Sequence, residues 1–145
     1  MITGFFDPGG PNWPIPRVRA NLYLPLVAPR WASIRFVIDT GAAMTVLHPT
    51  QARDDVGIGP AWLADPDRWP RRVTAHGIGG EQVCYVVEAE YGLRHERGHT
   101  QVIRDRILIA EPSSATEALP SVLGWNVLQH FRLELDWAQR SIHLL

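Results

Sequence analysis

The sequence predicts a mostly β, barrel-like domain with one or two short helices. Three observations carry that expectation. Several runs alternate apolar and polar residues with a period of two. Glycine and proline clusters interrupt those runs at short intervals. Helical periodicity is brief wherever it occurs, and no strand–helix–strand rhythm runs through the chain. At 145 residues the chain has the length of one domain. That size buries roughly two-thirds of the unfolded surface.

The first 16 residues, "MITGFFDPGGPNWPIP", hold four prolines and three glycines. This segment, residues 1–16, excludes a helix and allows a short strand and a loop; residues 17–145 form the domain proper. "RVRANLYLPL" sets Val18, Ala20, Leu22 and Leu24 against Arg17, Arg19, Asn21 and Tyr23, a half-buried strand. "ASIRFVI" is a second strand that runs into Asp39. A short helix is expected from Pro49 to a cap near Gly57, and "DPDRWP" is loop. "RRVTAHGIGGEQVCYVVEAEYGL" reads as a hairpin turning at Gly77–Gly80. "TQVIRDRILIAE" is another strand, and "SSATEALP" is loop. "SVLGWNVLQHF" starts as a strand and becomes a short helix from Gly124. "RLELDWAQRSIHLL" closes the chain as a hairpin turning between Asp136 and Arg140.

Net charge is −1, which points to neither nucleic acid nor an anionic membrane as partner. All 14 Lys or Arg positions are arginine, scattered along the chain. A lone cysteine, Cys84, excludes an intramolecular disulfide and disfavours a thiolate zinc site. No basic residue precedes Arg17 and no apolar run approaches a membrane span, so the expected location is the cytoplasm. No cofactor is expected. Most of the six tryptophans are expected in the core.

The stretch that carries chemistry is "FVIDTGAAMTVLHP". It takes a carboxylate, Asp39, to the end of an apolar strand, then resumes with Ala42, Ala43, Met44, Thr45, Val46 and Leu47. A surface turn has no reason for that apolar continuation. A carboxylate drawn toward the interior needs donors, or a second carboxyl group sharing its proton.

Three segments in order resemble the retropepsins, the retroviral-type aspartic proteases. "FVIDTGAAMTVL" is similar to their catalytic loop, "HGIGG" to the tip of their flap hairpin. "LPSVLGWNVLQHFRLELDW" is similar to their second signature of two apolar residues, Gly, one position, Asn, then helix and strand. The resemblance spans Arg17 to Leu145. It implies a closed acid-protease barrel and an aspartic endopeptidase that cleaves a peptide or protein substrate. In that family two carboxylates about 3 Å apart share one proton around a water. The ionised member takes a proton from the water, and the protonated member gives one to the peptide carbonyl oxygen. By the resemblance Asp39 is catalytic, the Thr40 hydroxyl braces the opposing loop, and Gly41 admits a close backbone approach. Ala42, Ala43 and Met44 border the substrate, and Gly77, Ile78, Gly79 and Gly80 close over it. No second Asp-Thr-Gly occurs in the chain, so the second carboxylate is expected from a homodimer with one Asp39 per subunit. The apolar stretches Ile2–Phe6 and Ile142–Leu145 are then candidate interface strands.

Two positions depart from the best-known retropepsins. Ala43 stands where Asp is common, and Trp125 where Arg is common; in the family those residues often pair near the dimer contact. Losing one member would strand a buried charge at about 3–5 kcal/mol. Losing both fits an apolar replacement.

Two other readings stay open. One is a protease-fold dimer that binds peptide or protein without cleaving it. The other is a zinc peptidase through "HERGH", His95 to His99, which matches His-Glu-x-x-His. That chemistry needs both histidines on one helix face. Gly92, Gly98 and the flanking strand patterns favour a polar turn instead.

Overall fold

The computed structural model describes residues 1–8, 14–77 and 80–145. The fold is mostly β with few short helices, as expected. Eleven strands are described, in chain order: β1 (Ile2–Thr3), β2 (Phe5–Asp7), β3 (Ile15–Tyr23), β4 (Trp31–Ile38), β5 (Val46–Leu47), β6 (Arg72–Gly77), β7 (Gly80–Arg94), β8 (Thr100–Ala110), β9 (Val122–Leu123), β10 (Leu133–Asp136) and β11 (Ser141–Leu144).

An eight-stranded sheet runs β2-β3-β4-β9-β5-β8-β7-β6, and β3 also pairs with β7. That extra pairing, Asn21↔Gly92 to Tyr23↔Glu90, joins β3, β4, β9, β5, β8 and β7 into a ring. The cause is the alternation seen in the sequence. On β3 and β4 the residues Val18, Ala20, Leu22, Ile34, Phe36 and Ile38 all point inward and are buried. They meet Tyr85, Val87, Tyr91 and Ile107 in one core. Each fully buried side chain of this size contributes about 1.5–3 kcal/mol. The two buried phenols are satisfied: Tyr85 donates to the Leu63 carbonyl at 3.1 Å and Tyr91 to that of Arg106 at 2.8 Å.

The ends of the chain form a second sheet, β1-β11-β10, with Ile2 opposite Leu144 and Leu133 opposite Leu144 on its other side. Ile2, Ile142 and Leu144 are buried in the chain's own core. Phe5 and Phe6 are half-buried and Leu145 is exposed, and of the first 16 residues β1 joins the second sheet while β2 and the start of β3 join the first.

The expected helix is present as α1 (Pro49–Gln51), continuing as a wider turn over Ala52–Val56. Pro49 suits the first helical position because its missing N–H has no partner there. Gly57 ends it in the left-handed region at φ 85°, with Ile58 N–H bonding back to Ala52. Two further pieces follow: α2 (Pro60–Leu63), where no element was expected, and a tight turn at Pro66–Arg68 inside the expected loop. They bury Leu63 and lay Trp69 flat on Tyr85, 4.9 Å between rings. The helix after Gly124 is α3 (Trp125–Leu128). No described helix is long and apolar enough to cross a membrane. Trp31, Trp125 and Trp137 are each 46% exposed, against the expectation that most tryptophans are core.

Candidate active site

Asp39 is the residue immediately after β4. The last pair of β4, Ile38 with Leu123 of β9, is parallel, and Asp39 N–H continues that ladder by donating to Leu123 O at 3.1 Å. β9 lies between β4 and β5, so the link from Asp39 to Thr45 must arch over its end. The arch begins as a tight turn. Asp39 Oδ1 accepts from Gly41 N–H at 2.9 Å, and Asp39 O accepts from Ala42 N–H at 3.2 Å. A Cβ on Gly41 would stand 3.2 Å from that carboxylate oxygen.

The second signature grips the arch from beneath. Trp125 N–H donates to Ala42 O at 2.8 Å and Asn126 N–H to Ala43 O at 3.1 Å. Asn126 Oδ1 accepts from both the amide (2.8 Å) and hydroxyl (2.9 Å) of buried Thr45. The same hydroxyl oxygen accepts from Gly124 N–H at 3.0 Å. Asn126 Nδ2 donates to Arg106 O at 2.9 Å, which ties the arch to β8. Every polar atom of this buried network that the packing needs is satisfied, which is the condition for it to stabilise. Gly124 has no room for a side chain: a Cβ would sit 2.5 Å from Met44 C and 2.6 Å from Met44 O.

Trp125 also holds the arch through its side chain. Its indole N–H donates to Thr40 O at 2.5 Å while the ring stays nearly half exposed. Beside it Thr40, Gly41 and Ala43 are exposed and Asp39 is half-buried. The Thr40 hydroxyl has no hydrogen-bond partner among the described residues.

The arch borders a groove of about 880 Å³. Asp39, Gly41, Ala42, Ala43 and Met44 line one end, and Val46, Leu108 and Val122 form an apolar floor. One wall is the β6–β7 hairpin through Ala75, His76 and Gly80–Val83. That hairpin pairs in register up to Gly77↔Gly80, with Gly80 at φ 103°. Ile78 and Gly79, assigned to its tip, lie outside the described residues. The loop from Glu111 to Leu119 closes the far end.

His48 also lines this groove and was missed in the sequence. It is 4% exposed, and Nδ1 stands 2.8 Å from Pro120 O. A carbonyl only accepts, so Nδ1 holds the proton and Nε2 is the bare acceptor. Nε2 has no hydrogen bond, although the Gln82 side chain of β7 approaches the ring. Burial holds the imidazole pKa below its ordinary value, against the opposing pull of Pro120 and Gln82. The available signal was a lone histidine between Leu47 and Pro49, which reads equally well as the start of α1. Cys84, on β7 in a small cluster with Val46 and Leu108, is buried; burial, then the Glu111 charge, push its thiol up to about 11.

The His-Glu-x-x-His segment is a tight turn joining β7 to β8. His95 N–H donates to His99 O and Gly98 N–H to His95 O, both at 2.9 Å. The two rings stack at 3.9 Å, His95 Nε2 meets Gln101 Oε1, and Glu96 accepts from Thr3 Oγ1. The helix face that zinc-protease chemistry requires is replaced by a strand turn. Among the described residues no three His, Cys, Asp or Glu side chains converge as a metal site.

No protein-family model matches the chain. It aligns with the Serine/threonine-protein kinase 11-interacting protein of Mus musculus at 31% identity over 94% of the chain. The aligned stretch is 14% of that protein's length.

Proposed function

We propose that the chain is a retropepsin-like aspartic endopeptidase whose active form is a homodimer with a closed acid-protease barrel in each subunit. The observation that carries the reading is the placement of Asp39: a carboxylate at the lip of a groove walled by the β6–β7 hairpin, on an arch gripped by Gly124–Asn126.

In this reading two Asp39 carboxylates meet across a two-fold axis and share one proton. The ionised one draws a proton from a water held between them. The water oxygen attacks the peptide carbonyl carbon, and the other carboxyl gives its proton to the carbonyl oxygen. Collapse of the resulting tetrahedral diol breaks the C–N bond, with the proton returned to the leaving amine. Ala42–Met44 border the substrate backbone and the Gly77–Gly80 hairpin closes over it. The exposed Thr40, Ala43 and Trp125 belong to the face that the second subunit covers, where the Thr40 hydroxyl finds its partner. The reaction needs no cofactor, and a cytoplasmic location fits the sequence.

The test is cleavage of unfolded protein substrates across acidic to neutral pH by wild type and Asp39→Asn. The reading expects activity in the first and none in the second; equal activity in both would refute it. A second reading, peptide or protein binding without turnover, is supported by the single Asp-Thr-Gly in the chain and by the name of the mouse relative, an interacting protein. It predicts peptide capture in the groove with no hydrolysis by wild type.

A further inference from the structure

Away from the groove, the outer face of the ring carries an unusual row of charge. Arg19 of β3 lies directly opposite Arg35 of β4. On the other side β3 pairs with β7 at Asn21↔Gly92. Side chains repeat on one face every second residue, so Arg19 and Arg94, each two residues beyond that pair, share the same face. Three arginines therefore stand abreast on β4, β3 and β7. Like charges directly opposite on neighbouring strands destabilise a sheet, and a chain that tolerates such a row without counter-charge has reason to do so.

The nearby carboxylates do not neutralise it. Asp7 pairs with Arg17 at 3.0 Å and Glu90 with Arg104 at 2.5 Å; Glu96, which accepts from Thr3, keeps its charge but makes no ion pair with the row. Among the described residues no carboxylate is within ion-pair distance of Arg19, Arg35 or Arg94; Arg19 reaches only Ser33 Oγ, at 3.4 Å. The row is also not flat. With Ile2, Thr3 and Phe5 of the N-terminal strands as one wall, and Asn21 and side-chain-free Gly92 as floor, the three arginines line a hollow of about 390 Å³.

We infer that this hollow binds a multiply charged oxyanion of the phosphate or pyrophosphate class. Three guanidinium forks give more donors than one carboxylate has oxygens to accept. A phosphoryl group offers three or four oxygens and a charge near −2, and it matches the planar fork in bidentate fashion. Binding also cancels the cross-strand repulsion, so the protein gains stability when loaded. The site is open to solvent, and its affinity falls with salt as charges are screened over about 8 Å at physiological ionic strength. The inference stands apart from the Asp39 reading, because no residue of the hollow lines the groove.

The experiment is calorimetric titration of the full chain with inorganic pyrophosphate, for wild type, Arg35→Gln and Arg94→Gln, with melting temperatures of the ligand-free proteins. We expect one saturable site per chain in wild type and at least tenfold weaker binding in each variant. Ligand-free Arg35→Gln should melt at or above the wild-type temperature, since it removes a repelling partner. No saturable binding to wild type would overturn the inference, as would variants that bind like wild type. So would lost binding accompanied by melting several degrees lower in both variants, because the row would then be a structural element.

Discussion

Gly124→Ala is the substitution that most directly loads the arch carrying Asp39. The added methyl would lie 2.5 Å from Met44 C, 2.6 Å from Met44 O and 2.9 Å from Ala42 O, all of them backbone atoms. Ordinary carbon contacts begin at about 3.5 Å, so the arch must retreat by about 1 Å. That retreat stretches the Trp125–Ala42 and Asn126–Ala43 bonds, now 2.8 and 3.1 Å, beyond useful range. Overpacking of this kind costs about 1–3 kcal/mol, and each weakened hydrogen bond adds about 1 kcal/mol. With both bonds counted the sum is about 3–5 kcal/mol, and urea unfolding followed by tryptophan fluorescence should show a midpoint about 1.5–2.5 M lower. On the proposed reading, a shift of about 1 Å passed on to the Asp39 carboxylate would also cost about 10²-fold of peptidase activity. The control is Gly59→Ala, where nothing lies within 4 Å of the new methyl; Gly59 caps α2 and Ala caps poorly, so the change should cost less than about 1 kcal/mol. A Gly124→Ala midpoint indistinguishable from that of Gly59→Ala would refute the reasoning.

Other residues give further tests. Asn126→Ala removes the acceptor of Thr45 N–H and Oγ1–H and the donor to Arg106 O; with these groups buried, the loss should reach about 2–4 kcal/mol in the same urea assay. His48 is held neutral by burial, so its folded pKa lies below the ordinary 6.5. Its contribution to stability is present above that value and is lost as pH falls below it; His48→Asn should flatten the stability profile on the acid side of 6.5, and an unchanged profile would count against the buried neutral ring. The Cys84 thiol, raised to about 11, stays protonated at pH 8. A disulfide reagent should therefore react slowly with native protein and rapidly in urea, and equal rates would contradict the burial. The same shift makes stability fall as pH climbs from 9 towards 11, because the unfolded thiol ionises first.

Much of this fold is legible in local pattern. The period-two runs around Val18 and Phe36 marked β3 and β4, since a ring with one buried face imposes that alternation. Pro49 and Gly57 bracketed the first helix by backbone chemistry alone. The turn at His95–His99 was readable because glycines and flanking strands outweighed a short motif. The misses are tertiary. α2 and the Pro66–Arg68 turn depend on Leu63 and Trp69 finding Tyr85, which local propensity does not encode. The terminal stretches were apolar without showing which strand each would pair with, and the pairing of Ile2 with Leu144 joins the two ends of the chain. At the site, Asp39 and Asn126 stood out in the sequence, but the hydrogen bonds that link them through Thr45 span 81 residues. Trp125 read as the loss of a charge; in the fold it is also a donor to Thr40 O. His48 gave no sequence signal separating a groove residue from a helix start.

The central claim is that one chain supplies half of a catalytic pair. Wild-type and Asp39→Asn chains, unfolded together in equal amounts and refolded, test it through peptidase activity against all-wild-type protein at the same total concentration. If both carboxylates are needed, only pairs of two wild-type chains act, and activity should fall to about a quarter. A fall to about a half would mean that each chain acts alone, and the account would be wrong.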